Sequence, residues 1–197
     1  MQHKNLWIPL FIFVIFASPV IAAVILYSSG YFVPATVNAG QLISPPQSLM
    51  HLKLQDDKGK TVQWRSFVGK WYLLYLNPND CDQLCAGNLY KMRQIRLALG
   101  KNIGHVDRMV VTFIDTKTPV LKKLLTHGFQ GTLHLQSDKS SIAQLLDPLS
   151  SKEIAMTQGN LYLVDPLGNL IMSYAPTQDP SGILKDLKRL LSVSQIG

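Results

Sequence analysis

Leu6 to Tyr27 is a run of 22 residues without one charged side chain, and no other feature limits this chain as much. About 20 apolar residues in a helix cross the hydrocarbon core of a bilayer, so the run predicts a transmembrane helix over residues 6–27. Residues 1–5 become a short N-terminus. Lys4 and the terminal amine precede the run, and no Lys, Arg, Asp or Glu follows it before Lys53. The positive-inside bias then leaves the N-terminus in the cytoplasm and puts everything after Tyr27 outside it. A cleaved signal peptide, cut near Ala22 or Ala23, is the competing reading. The apolar run is longer than the usual signal core, which favours a retained anchor. No Arg-rich amphipathic leader precedes it. The expectation is a single-pass protein of a bacterial inner (cytoplasmic) membrane, with its C-terminal domain in the periplasm.

Residues 28–48 carry no charge and contain Gly30, Pro34, Gly40, Pro45 and Pro46. This composition predicts an extended linker, followed by one folded domain over residues 49–197. Leu52–Leu54 and Thr61–Trp64 flank Asp56-Asp57-Lys58-Gly59 as a hairpin would. Trp71–Leu76 is a short apolar run suited to a strand covered on both faces. From Cys81 to Leu99, apolar residues recur at Cys85, Leu89, Met92, Ile95 and Leu99, the stripe of a helix with one buried face. Val106–Ile114 reads as a second buried strand. Helices follow over Thr118–Thr126, opened by Pro119, and over Ser140–Leu146. Leu161–Val164 and Leu170–Tyr174 make a hairpin around Asp165-Pro166-Leu167-Gly168, and Ser181–Leu191 is an amphipathic closing helix. Such an order predicts an α/β fold, a mixed sheet with helices on both faces, preceded by one transmembrane helix.

The chain has only two cysteines, Cys81 and Cys85. Asp80 can cap the helix that follows, with Gln83 reaching back as in a capping box. Cys81 then falls in the first turn and Cys85 one turn further on the same face, close enough for a disulfide or for two thiolates on one soft metal. Free amide N–H groups at a helix start favour a thiolate at Cys81, whereas Asp80 and Asp82 oppose it; the net sign stays open. An ordinary structural disulfide is the plainer alternative for an exported protein. So short a loop gives it little to stabilise, about 2 kcal/mol.

The strand Trp71–Leu76 leading into a cysteine pair at a helix start resembles the thioredoxin superfamily. The three-residue gap in Cys81-x-x-x-Cys85 resembles its Sco/SenC branch, as do Asp115–Pro119, Tyr162–Gly168 and Ile183–Leu191. The likeness spans about residues 49–191, and the N-terminal anchor fits it. The resemblance implies a thioredoxin-like fold and an extracytoplasmic protein that assists assembly of cytochrome c oxidase. Sco-type proteins hold copper through both cysteines and a histidine, and some act mainly as thiol–disulfide reductants. Cys81 and Cys85 match the two sulfur ligands, and are the residues that would cycle in redox chemistry. The histidine has no counterpart, because Ala155–Asn160 contains none, and Ala86 stands where the family has a proline after the second cysteine. His3, His51, His105, His127 and His134 fall elsewhere, in loops or at element edges. Met156 offers a soft thioether in the missing position, so Cys81, Cys85 and Met156 form a candidate all-sulfur Cu(I) site; packing beside the hairpin is its plainer role. The partner implied is a copper-binding oxidase subunit or another thiol-redox protein. A general envelope thiol–disulfide oxidoreductase and a non-catalytic interaction module with a structural disulfide are the alternatives.

Other chemistry is sparse. The formal charge is +7, yet the basic residues are scattered. Their densest group, Lys91, Arg93, Arg96 and Lys101, complements a helix C-terminus, so no nucleic-acid role is expected. The single glutamate, Glu153, leaves no paired carboxylates, and no phosphate-binding loop or nucleophile elbow is present.

Overall fold

A computed structural model describes residues 7–28, 38–77, 79–150 and 159–193. Its first element, α1 (Trp7–Ser28), is an uninterrupted apolar helix with a mean hydropathy of 2.7, long enough to cross a membrane. The chain divides into two compact units between Val37 and Asn38.

The second unit opens with β1 (Gln41–Ser48), β2 (Leu54–Gln55) and β3 (Thr61–Val62), then a single 3₁₀ turn over Trp64–Phe67. Next come β4 (Trp71–Asn77), α2 (Gln83–Leu97) and β5 (Val106–Phe113). After these follow α3 (Pro119–His127), β6 (Thr132–Ser137) and α4 (Lys139–Ser150). The chain closes with β7 (Leu161–Val164), β8 (Asn169–Tyr174) and α5 (Pro180–Val193). The strands form one sheet in the order β1-β8-β7-β4-β5-β6-β2-β3. β4, β5 and β6 run parallel and the remaining pairings are antiparallel.

Strand β4 lies between β7 and β5, and its alternation divides the core in two. Tyr72 and Leu74 face a cluster with Trp64, Met109, Val111, Ile142 and Leu146. Trp71, Leu73 and Tyr75 face the other cluster, with Leu89, Met92, Ile95, Leu121, Ile183 and Leu187. The 3₁₀ turn and α4 therefore cover one face of the sheet, and α2, α3 and α5 cover the other. This is the mixed, two-sided sheet that the alternation of elements predicts. The predicted stripe of α2 is buried at every position: Cys85, Leu89, Met92, Ile95 and, just past the helix end, Leu99.

Two local expectations are corrected. The segment read as linker includes a strand: Gln41–Ser48 pairs with β8 and contributes the buried Ile43. Pro45 and Pro46 are tolerated there because β1 is an edge strand, with one side of its backbone outside the ladder. The ladder shifts register between Leu42 and Gln47, on either side of those prolines. Thr132–Ser137, assigned to no element from the sequence although Leu133 and Leu135 alternate with polar residues, is β6. It places His134 inside the fold and not at a solvated edge.

The start of this unit is tied to its last helix. Asp186 on α5 is buried and accepts N–H bonds from Ala39 (2.9 Å) and Gly40 (2.9 Å), with the Tyr174 hydroxyl at 3.4 Å. Burial, then the neighbouring Asp186 carboxylate, push the Tyr174 phenol well above its ordinary range. Gly40 permits this approach, since a Cβ there would collide with the Tyr174 ring.

Candidate functional site

The site forms where β4 ends. Asn77 closes the strand, and the chain turns through Asn79 and Asp80 to Cys81. Helix α2 begins at Gln83, not at Cys81. Its N-cap is Asp82, whose carboxylate accepts the Cys85 N–H at 2.8 Å, while the Asp82 carbonyl accepts from Ala86 at 3.0 Å. The expected capping box from Asp80 and Gln83 therefore does not form. Asp82 takes the cap because it sits three residues before Cys85, the spacing from which a short carboxylate reaches that N–H. Cys81 lies before the helix, outside any regular element, and Cys85 sits in its first turn.

The two cysteines are joined, with Cα atoms 5.1 Å apart, inside the range that a disulfide spans. Cys85 is wholly buried and Cys81 keeps 9% exposure, so one sulfur is at the rim and the other beneath it. Around them lies a polar cluster. The Asn77 amide donates to the Asn79 carbonyl at 2.7 Å and lies 3.7 Å from the Cys85 sulfur; the Tyr75 hydroxyl donates to Asn77 Oδ1 at 3.4 Å. Asn88, one turn along α2 from Cys85, donates to the Gly159 carbonyl at 2.8 Å and so ties the helix to the residues entering β7. Burial raises the Tyr75 phenol above its usual range. Neither asparagine stands out in the sequence, although Asn77 belongs to the polar stretch that ends the strand.

Asp80 plays a different part from the one expected. Its carboxylate accepts the Cys81 N–H at 2.8 Å and two N–H groups of α3, Leu121 at 3.0 Å and Val120 at 3.1 Å. Partial burial works to raise its pKa, but the N–H bonds from Leu121, Cys81 and Val120 outweigh it and hold the carboxyl below the usual range. Of the amides at the start of α2, the Cys85 N–H is thus already taken by the Asp82 carboxylate.

As a copper site, the described residues supply two adjacent sulfur donors, which suit Cu(I). Among these residues no group of three or more His, Cys, Asp or Glu side chains could hold a metal. Met156 lies outside the described residues. His134 is committed elsewhere, its ring 3.0 Å from the Thr112 hydroxyl and 2.9 Å from Asp57. His127 lies at the end of α3, its ring 3.0 Å from the Lys123 carbonyl.

Comparison with known proteins agrees with this architecture. The family model described as "transmembrane-like, thioredoxin-like, C-terminal domain" matches residues 71–194. The solution structure of apo Sco1 from Thermus thermophilus superposes with a TM-score of 0.60 at 16% identity, over 78% of this chain and 96% of that one. Yeast Sco1 with copper bound gives 0.58 at 17% identity, over 73% and 91%. In sequence, a probable phospholipid hydroperoxide glutathione peroxidase of Solanum lycopersicum is 24% identical over 169 residues, 77% of this chain and 97% of its own. At these identities the likeness to the solved structures is one of fold. At that level it bears out the Sco/SenC-like, thioredoxin-like resemblance carried by the cysteine pair and the motifs after it.

Proposed function

The chain belongs to the transmembrane-like, thioredoxin-like C-terminal domain family, and on that premise we propose that it is a membrane-anchored Sco-like factor assisting maturation of the copper centre of cytochrome c oxidase. Cys81 and Cys85 cycle between disulfide and dithiol, and the dithiol takes Cu(I) as cargo. Residues 6–27 anchor it in a bacterial inner membrane, with the thioredoxin-like domain in the periplasm. The observation that carries the reading is the placement of the disulfide. It sits at the C-terminal end of the parallel strand β4, with its rim sulfur on an irregular segment and its inner sulfur in the first turn of α2. Open α/β sheets place their chemistry beyond the carboxyl ends of their strands. A bond across so short a loop adds little to stability, which favours a working pair over a staple.

The donor set directs the chemistry. Two thiolates fit Cu(I), and among the described residues no histidine joins them in a metal-holding group, which disfavours tight Cu(II) binding. Met156 is the residue we propose as third ligand. Dithiol chemistry is therefore the primary activity and copper a transient passenger.

Anaerobic titration of the reduced full chain with Cu(I) tests this reading. We expect one copper per chain, lost in Cys81→Ser/Cys85→Ser and weakened in Met156→Ala, and no oxidase activity in cells carrying the double serine variant. Normal oxidase assembly in those cells would overturn it. The peroxidase-like relative motivates a second reading, in which Cys81 reduces a hydroperoxide and Cys85 resolves it. Thiol-dependent peroxide turnover by the wild-type chain, without copper binding, would select that one.

A further inference from the structure

Helix α3 does not supply its own cap. Pro119 occupies its first position and has no N–H, which leaves Val120 and Leu121 as the next donors without partners inside the helix. Thr118 stands where a local cap would be, yet its side chain makes no capping bond. The cap comes instead from Asp80, 40 and 41 residues upstream, whose two oxygens take both N–H groups. The same Asp80 Oδ1 also takes the N–H of Cys81. One carboxylate thus holds the residue that carries the rim sulfur against α3, which covers the same face of the sheet as α2.

Cys85 needs no such tie. It is helical, buried, and its N–H is held by Asp82. Cys81 is neither helical nor in a strand; its side chain packs in the core cluster, and its backbone N–H is held by the Asp80 carboxylate. Opening the disulfide takes two electrons and two protons from a dithiol, which leaves as its own disulfide, and yields the Cys81 and Cys85 thiols. At that moment the S–S restraint is gone and the Asp80 bonds are not.

Building on the proposed redox role of the pair, we infer that Asp80 is a positioning residue that keeps the Cys81 thiol apposed to Cys85 in the reduced protein. With the tie intact, closing the bond orders little that is not already ordered, so the disulfide is favoured. Without it the reduced Cys81 segment gains conformational freedom that closure must remove, and the equilibrium moves toward the dithiol.

The test is equilibration of the detergent-solubilised full chain in dithiothreitol redox buffers, scored by alkylation mass shift. Asp80→Ala lowers the equilibrium constant for disulfide formation by about tenfold, which for a two-electron couple is about 30 mV less negative. Asp80→Asn keeps an Oδ1 acceptor for Cys81 and Leu121 and stays within about threefold of wild type. If Asp80→Ala melts earlier but keeps the wild-type potential, Asp80 is only a structural cap and the inference falls. If Asp80→Asn shifts as far as Asp80→Ala, charge and not the tie sets the potential, and it falls equally. Should Asp80→Ala fail to fold, hydrogen exchange on the wild-type chain decides. Protection of the Cys81 amide that changes less than about threefold on reduction supports the tie, and its loss refutes it. A wild-type disulfide that no dithiol buffer opens would instead overturn the redox role itself.

Discussion

Reducing the Cys81–Cys85 bond should leave the domain folded and only slightly less stable. The bond spans a sequence separation of 4, and the loop-closure entropy it removes from the unfolded chain is worth about 2 kcal/mol, against about 4.7 for a 100-residue loop. The native state loses little in exchange. Both sulfurs sit in the cluster with Leu89, Tyr75, Leu161 and Leu163, and a buried thiol packs as a small hydrophobe. For a domain of this size, 2 kcal/mol lowers the melting temperature by roughly 4–8 °C. With an m-value near 2 kcal/mol/M it also moves a urea midpoint by about 1 M. The measurement is urea unfolding of the full chain in detergent, with and without a phosphine reductant, followed by fluorescence, since Trp64 and Trp71 are buried in the domain. A shifted midpoint at unchanged slope is the expected result. Loss of more than about 4 kcal/mol, or of a cooperative transition, would make the disulfide a structural staple and refute the reasoning.

Three further outcomes are expected. His134 has its pKa lowered by burial first, against the opposing pull of Asp57, with Lys122 adding to the lowering. The unfolded chain then takes up this proton at a higher pH than the folded one. Stability is full above about pH 6.5 and declines as pH falls from there toward the lower folded value, and His134→Gln flattens that decline in urea midpoints measured from pH 7.5 to 5. Asp186→Ala strands the buried N–H of Gly40, also removes the part-buried bond to Ala39, and costs about 2–3 kcal/mol by chemical denaturation. Leu89→Ala, on the buried stripe of α2 beside the disulfide, costs about 2–5 kcal/mol in the same assay while Cys81 and Cys85 still pair.

What the sequence discloses follows from where each signal resides. The stripe of α2 and the apolar runs of β4, β5 and β7 are written in local periodicity, and each lies where the pattern puts it. β1 escapes notice because its two prolines read as linker, and only the ladder to β8 makes it a strand. β6 carries only two apolar residues, Leu133 and Leu135, in a short alternation that is assigned to no element from sequence, and its pairing with β5 is a long-range fact. The cysteine pair was legible from residue type and spacing. The roles of the flanking aspartates were not, because either one fits the capping rule locally. Asp82 caps α2, and Asp80 serves a helix that the sequence places about 40 residues away.

The bonds from Asp186 to Ala39 and Gly40 also have a mechanical meaning. If residues 6–27 hold the chain in a bilayer, any pull along the connecting segment reaches the domain first at these two amides, then at the β1–β8 ladder. Both lie on elements other than β4 and the start of α2, which carry the cysteines. Tension would be met first at α5 and at the sheet's outer edge, before it reaches β4 and the start of α2.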